Sequence, residues 1–272
     1  MNFEAFLQNL SNGISLGSLY ALIAIGYTMV YGILRLINFA HGDLVMLGSY
    51  VAFYGVAMFM LPWWLAFPLA ILVTAGVGIV IERSAYKPLR DFPRINLFTA
   101  AVAVSFLLEN LGIVIFGGRP KAFERPAFMD QMLNLGGVSI VSYTPIIIIT
   151  ALVLFGLLLL VIYRTKAGMA MRALSKDIEA TGLMGVNTDK IIMFAFMLGS
   201  ALAAAGGILW AIKFPQINPL MGVMPGLKAF IAAVLGGIGN VGGAMIGGFL
   251  LGIVEIMIVA FFPELSGYRD AF

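Results

Sequence analysis

Apolar runs as long as a lipid bilayer is thick recur along this chain, at residues 14–34, 44–61, 63–81, 95–116, 144–163 and 191–214. A helix crossing the hydrocarbon core needs about 20 mostly apolar residues, because lipid offers no partner for an unpaired backbone group. A further apolar region, 227–262, is interrupted by Gly236, Gly237, Gly239, Asn240, Gly242 and Gly243. It reads as a short or re-entrant helix followed by one full span. The expected fold class is all-α, a polytopic helical membrane protein with about 7–8 transmembrane or re-entrant helices. Composition agrees: 61% of residues are hydrophobic and 11% charged, against about 45–50% and about 25% in soluble domains. One globular core cannot absorb that imbalance.

Several chemistries are excluded or disfavoured. There is no cysteine and only one histidine, His41, so disulfides, thiolate metal sites and a His-rich metal site are all ruled out. No metal is expected. A net charge of +3 is a small surplus on short loops and does not point to nucleic acid. Residues 1–11 lack a Lys/Arg-rich start, so the first helix is expected to be retained rather than cleaved as a signal. The polar stretches are shorter than about 30 residues, too short for a soluble domain of at least about 50. The G-x-x-x-x-G-K-[ST] phosphate loop is also missing. Residues 1–272 are therefore expected to form one transmembrane domain, and any nucleotide-driven motor must be another polypeptide.

Lys and Arg in short loops are retained on the cytoplasmic side. Arg83, Lys87, Arg90 and Arg94 follow the third run, and Arg164, Lys166, Arg172, Lys176 and Lys190 follow the fifth. Both loops are expected to be cytoplasmic. Alternation then places the N-terminus, the turn at Pro62 and the segments 117–143 and 215–225 on the far side, although Arg119, Lys121 and Arg125 lie there too. Trp63, Trp64, Tyr20, Tyr163 and Trp210 fall near expected span ends, where interfacial aromatics belong.

The segment 164–190 places Met169, Met171, Leu174, Ile178 and Leu183 among Arg172, Ser175, Lys176, Asp177 and Glu179. That pattern predicts a short amphipathic helix on the cytoplasmic face. Such a helix either lies in the lipid interface or docks into a groove of a cytoplasmic partner. Asn38, His41 and Asp43 sit between the first two runs. They form either a cytoplasmic turn, with Asp43 capping the second helix, or a broken helix near a pathway. Glu109 and Asn110 fall inside the fourth run and Glu255 inside the last. Ionisable and polar groups at such depth are pathway candidates, unless they are protonated or tied to a neighbouring helix. Residues 237–242 read GIGNVG, but without a βαβ context the motif does not signal a dinucleotide. Gly239, Gly243 and Gly247, repeated by Gly248 and Gly252, instead predict close helix packing.

Three separated stretches carry a resemblance: INFAHGDLVMLGSY at 37–50, MRALSKDIEATGLMGVNTDKI at 171–191 and GLKAFIAAVLGGIGNVGGAMIGG at 226–248. Together they resemble the permease subunits of branched-chain amino acid ABC importers, the H-subunit family of the Liv system. The likeness runs from Gly17 to about Asp270. It implies a type II-like permease of the bacterial inner membrane that does not itself hydrolyse ATP. It further implies a second, homologous permease, two cytoplasmic ATPases that bind the ATP, and a periplasmic protein that delivers leucine, isoleucine or valine. No cofactor is implied for the chain itself. The implied ATPase contact spans about 170–187, through Arg172, Asp177, Glu179, Ala180, Gly185 and Asn187. There E-A-T-x-x-x-G stands where the family has E-A-A-x-x-x-G. The implied pathway candidates are Asn38, His41, Glu109, Asn110 and Glu255. Relatives usually continue past a segment like SGYRDAF into one more apolar span, so a C-terminal helix usual in the family is expected to be missing. Permeases for urea, short amides or other amino acids share these features. A stand-alone secondary transporter or channel is the rival of a different class.

Overall fold

The computed structural model describes residues 3–135, 138–264 and 266–267. Ten α-helices lie among the described residues: α1 Phe3–Leu34, α2 His41–Ala57, α3 Trp63–Ile81, α4 Arg94–Phe116, α5 Tyr143–Arg164, α6 Lys166–Leu174, α7 Ile178–Leu183, α8 Thr188–Lys213, α9 Val223–Leu235 and α10 Val241–Phe261. A π turn, Glu82–Tyr86, and a 3₁₀ turn, Lys87–Leu89, extend α3. Six of these helical stretches are long and apolar enough to cross a bilayer. The polytopic all-α expectation holds.

The centre of the bundle is α1. Nearly all of its apolar stretch, 94%, is buried, because small residues on several faces let neighbours close in. At Gly17 the helices nearly touch: a Cβ there would sit 2.7 Å from the Phe249 backbone of α10. Since Gly13 meets Ile253 while Gly32 lies beside Gly239, α10 runs antiparallel to α1 along almost its whole length. By contrast α4 has only 11% of its apolar window buried. It is a peripheral helix with most of its surface turned outward.

Two helix starts differ from expectation. α1 begins at Phe3 rather than 14, since its first polar turns are held outside the apolar zone, where Gln8 donates to the Ser139 carbonyl at 3.1 Å. α2 begins at His41 rather than 44, and its N-cap is Ala40; Asp43 lies in the first turn and does not cap. The region 227–262 divides as expected, with residues 236–240 joining α9 to α10. Instead of one amphipathic helix, the segment 164–190 holds two, α6 and α7, separated at Ser175–Asp177. The break follows from Asp177, whose side chain accepts the Ala180 N–H at 2.9 Å and so starts a new helix.

Two short β pairings complete the outer face. β1 (Lys121–Ala122) pairs antiparallel with β4 (Gln216–Ile217), with Lys121 opposite Ile217, and β2 (Met132–Leu135) pairs with β3 (Val138–Val141). Loop backbone beyond the helices needs partners as much as helical backbone does. The expectation of a missing C-terminal helix falls at residues 268–272, which lie outside the described residues.

Candidate functional site

The turn between α1 and α2 is where the chain leaves ordinary membrane packing. Residues 35–40 double back into the bundle, so that His41 Nε2 donates to the Ile23 carbonyl at 3.1 Å. At about 1.5 Å per residue, Ile23 lies roughly 16 Å inside the end of α1. α2 therefore starts deep within the bundle, as a broken helix rather than a turn at its surface. Asn38, His41 and Asp43 are all buried, and each has a partner. Asn38 Oδ1 accepts from the Tyr86 hydroxyl at 2.7 Å, and Asp43 Oδ2 accepts from Ser105 Oγ at 2.6 Å. The His41 ring packs on Tyr27 with centroids 4.4 Å apart.

The start of α9 meets the start of α2 at this depth. Gly42 and Gly222 touch backbone to backbone, and a Cβ on Gly42 would lie 2.7 Å from the Gly222 carbonyl oxygen. Both helices are too short to span the membrane, and the bundle closes around their starts. A cavity of about 150 Å³ remains beside the junction, lined by Tyr27, Asp43, Ser105 and Glu109 and by the apolar side chains of Ile37, Phe39 and Phe230.

The other deep candidates part company. Asn110 is exposed, and its amide donates to the Phe106 carbonyl of its own helix at 2.7 Å, so it does not share the cavity with Glu109. One residue along a helix turns the side chain by about 100°. Glu255 is buried, paired with Lys228 Nζ at 3.1 Å, and accepts from the Tyr20 hydroxyl at 2.8 Å. It ties α10 to α9 and α1. Lys228 and Tyr20 escaped the sequence reading as partners of this carboxylate, although a lysine inside an apolar run was as visible a signal as Glu255.

Of the packing glycines, Gly243 meets the Gly236 carbonyl and Gly247 the Ala232 carbonyl, both across the α9–α10 contact. Gly239 lies in the connecting turn at φ +97°, where the left-handed backbone favours glycine.

Beyond the end of α5, α6 and α7 form an elbow. Arg172 lies 5.1 Å over the Tyr163 ring. Glu179 and Ala180 are exposed on α7, Gly185 takes φ +82° in the turn after it, and Asn187 caps α8 by accepting the Lys190 N–H at 3.0 Å. The tip is apolar and open: Leu183 is 85% and Met184 84% exposed.

An ion cluster links that elbow to the rest of the bundle. Arg90 pairs with the buried carboxylate of Glu82 and, at 2.8 Å, with Asp189 in the first turn of α8, while Lys87 reaches Asp189 at 2.6 Å. Tyr86, in the same π turn as Glu82, bonds Asn38 at the α1–α2 break. The start of α8, the π turn and the α1–α2 break are thus joined by neighbouring contacts. The pairing of Arg90, Asp189 and Tyr86 had no signal in the sequence, because their partners are distant along the chain.

A bundle of membrane-length helices, two shorter helices whose starts meet inside it and an exposed α6–α7 elbow define a multi-pass membrane transport subunit. The comparisons make the assignment specific. Residues 9–270 match the family described as "Branched-chain amino acid transport system / permease component". The chain is 44% identical to the high-affinity branched-chain amino acid transport system permease protein BraD of Pseudomonas aeruginosa, over 97% of this chain and 89% of BraD. It is 41% identical to the permease protein LivH of Escherichia coli, over 98% and 90%. The ribose import permease protein RbsC of Haemophilus influenzae is a more distant relative, 26% identical over 92% of this chain and 76% of RbsC. Among solved structures, PsaBC from Streptococcus pneumoniae in complex with Fab matches with a TM-score of 0.50 and 13% identity, over 99% of this chain and 87% of that one, a likeness of fold alone. This chain belongs to the branched-chain amino acid transport permease family. It is a multi-pass membrane protein, in bacteria one of the inner membrane.

Proposed function

We propose that the chain forms half of a transmembrane pathway in an ATP-driven importer of branched-chain, aliphatic L-amino acids. The second half is a homologous permease, two cytoplasmic ATPases bind and hydrolyse the ATP, and a periplasmic protein delivers leucine, isoleucine or valine. The permease catalyses no reaction and holds no cofactor. The observation that carries this reading is the α6–α7 elbow, whose exposed Leu183 and Met184 suit a groove on a partner better than water. Arg172, Asp177, Glu179, Ala180, Gly185 and Asn187 shape or present that elbow. In this reading ATP-driven closure of the motor pushes the elbow, and α8 passes the displacement through Asp189 and Arg90 to the α1–α2 break. The pathway passes the cavity at Glu109, with Asn38 and His41 holding the break. Glu255 acts as a strut, and Asn110 faces away.

Reconstitution in vesicles tests the reading. With the homologous permease, the ATPases and the binding protein supplied, ATP should drive uptake of leucine, isoleucine or valine, and omission of any component should abolish it. Uptake by this chain alone without ATP would sink the importer reading. Preferential uptake of urea or a short amide would sink the substrate assignment.

A further inference from the structure

The cavity at the α1–α2 break has two chemically distinct sides. Tyr27, Asp43, Ser105 and Glu109 form one, and Ile37, Phe39, Leu227 and Phe230 the other. Asp43 and Glu109 both border the same open space. Among the described residues neither carboxylate belongs to an ion pair, and Glu109 has no hydrogen-bond partner. Two carboxyl groups facing one cavity inside a membrane do not both stay charged side by side: either one holds a proton or a cation lies between them. Glu109 is half-buried and Asp43 buried, whereas the two further buried carboxylates among the described residues, Glu82 with Arg90 and Glu255 with Lys228, each have a cationic side chain beside them. The Asp43–Glu109 pair is the exception, and it borders open space.

We infer that this cavity seats the ammonium group of the transported amino acid between Asp43 and Glu109, with its aliphatic side chain against Phe39, Phe230, Ile37 and Leu227. At about 30 Å³ for each water in the liquid, a 150 Å³ cavity has room for about five waters, a space of small-molecule size. The apolar wall accepts any branched aliphatic chain without distinguishing leucine from valine. The carboxylates discriminate by charge, rejecting cargo that lacks a cationic nitrogen. Such a seat is compatible with release, because one desolvated charge contact with a loose apolar wall holds a ligand weakly. The inference rests on the importer reading above and adds where, and by which group, the cargo is held.

The test uses the complete complex in nanodiscs, without binding protein, and measures bound radiolabelled leucine by equilibrium dialysis. Competition on the unaltered complex separates the charges: 3-methylbutylamine keeps the ammonium and loses the carboxylate, and 2-hydroxy-4-methylpentanoate does the reverse. The amine should displace leucine at least as well as unlabelled leucine does, within a few-fold, and the hydroxy acid should be weaker by roughly ten- to a hundred-fold, the range for losing a charged hydrogen bond. Glu109→Gln should weaken leucine binding by a similar factor in a complex that still assembles and elutes as the intact species. Equal competition by the hydroxy acid overturns the inference. So does unchanged leucine binding in both Glu109→Gln and Asp43→Asn complexes, or no measurable binding by a complex that imports leucine. Failure of the unaltered complex to import leucine with ATP and binding protein would instead strike the functional reading itself.

Discussion

Tyr86 donates its hydroxyl proton to Asn38 Oδ1 at 2.7 Å, joining the π turn that ends α3 to the turn where α1 gives way to α2. Both residues are buried, so the bond is made where water cannot replace it. Four residues further on, Arg90 connects the same turn region to α8. The break that opens the bundle is thereby held by the turn that ends α3.

Tyr86→Phe removes the donor and leaves the Asn38 oxygen unsatisfied, which costs about 1–3 kcal/mol for a buried polar group. The purified permease should melt at lower temperature. In the reconstituted complex, amino acid imported per ATP hydrolysed should fall more than ATPase activity does. An unchanged ratio would show that the bond is structural and transmits nothing.

Arg90→Ala strands the Glu82 carboxylate, whose side chain is 1% exposed. Removing one partner of a buried ion pair destabilises by about 3–5 kcal/mol. The double variant Arg90→Met with Glu82→Leu should recover most of that loss, because no uncompensated charge remains. Chemical denaturation of the single and double variants measures the coupling; simple additivity would contradict a direct pair.

Lys228 and Glu255 invite the same comparison deeper in the bundle, where their side chains are 5% and 1% exposed. Lys228→Met alone should reduce the yield of folded permease sharply. Pairing it with Glu255→Leu should restore folding, since apolar replacements of a buried pair are often neutral or better. Import by the double variant at near-normal rate would confirm that Glu255 is a strut, whereas folded but inactive protein would return it to the pathway.

Leu183→Asp and Met184→Asp place charge on the exposed tip of the elbow. The isolated permease should stay within about 0.5 kcal/mol of the parent stability, as surface changes generally do. Co-purification of the ATPases should drop at least tenfold. Retained association would move the docking surface elsewhere.

The helices of the bundle were legible because a bilayer imposes a length. Residues 63–81 were predicted and observed as α3, and the ends of α4 and α5 fell within one residue of expectation. The elbow was visible as a polar, amphipathic interval, but its division was not, because it depends on Asp177 accepting a backbone N–H three residues on. Asn38, His41 and Asp43 stood out by their polarity in apolar surroundings. Their depth did not: the same residues suit a surface turn or a buried break.

Apolar run length, the scarcity of charge and three separated motifs were sufficient, from the sequence alone, to establish a many-spanning membrane permease and its family, because lipid acts on each segment independently of the others. Tertiary structure alone decided that α2 starts beside Ile23, that Glu255 finds Lys228 while Glu109 faces a cavity, and that Arg90 bridges α3 to α8. Those outcomes depend on which faces of distant helices meet, and burial turns a polar residue into a strut or a site according to whether a partner of opposite charge lies within reach.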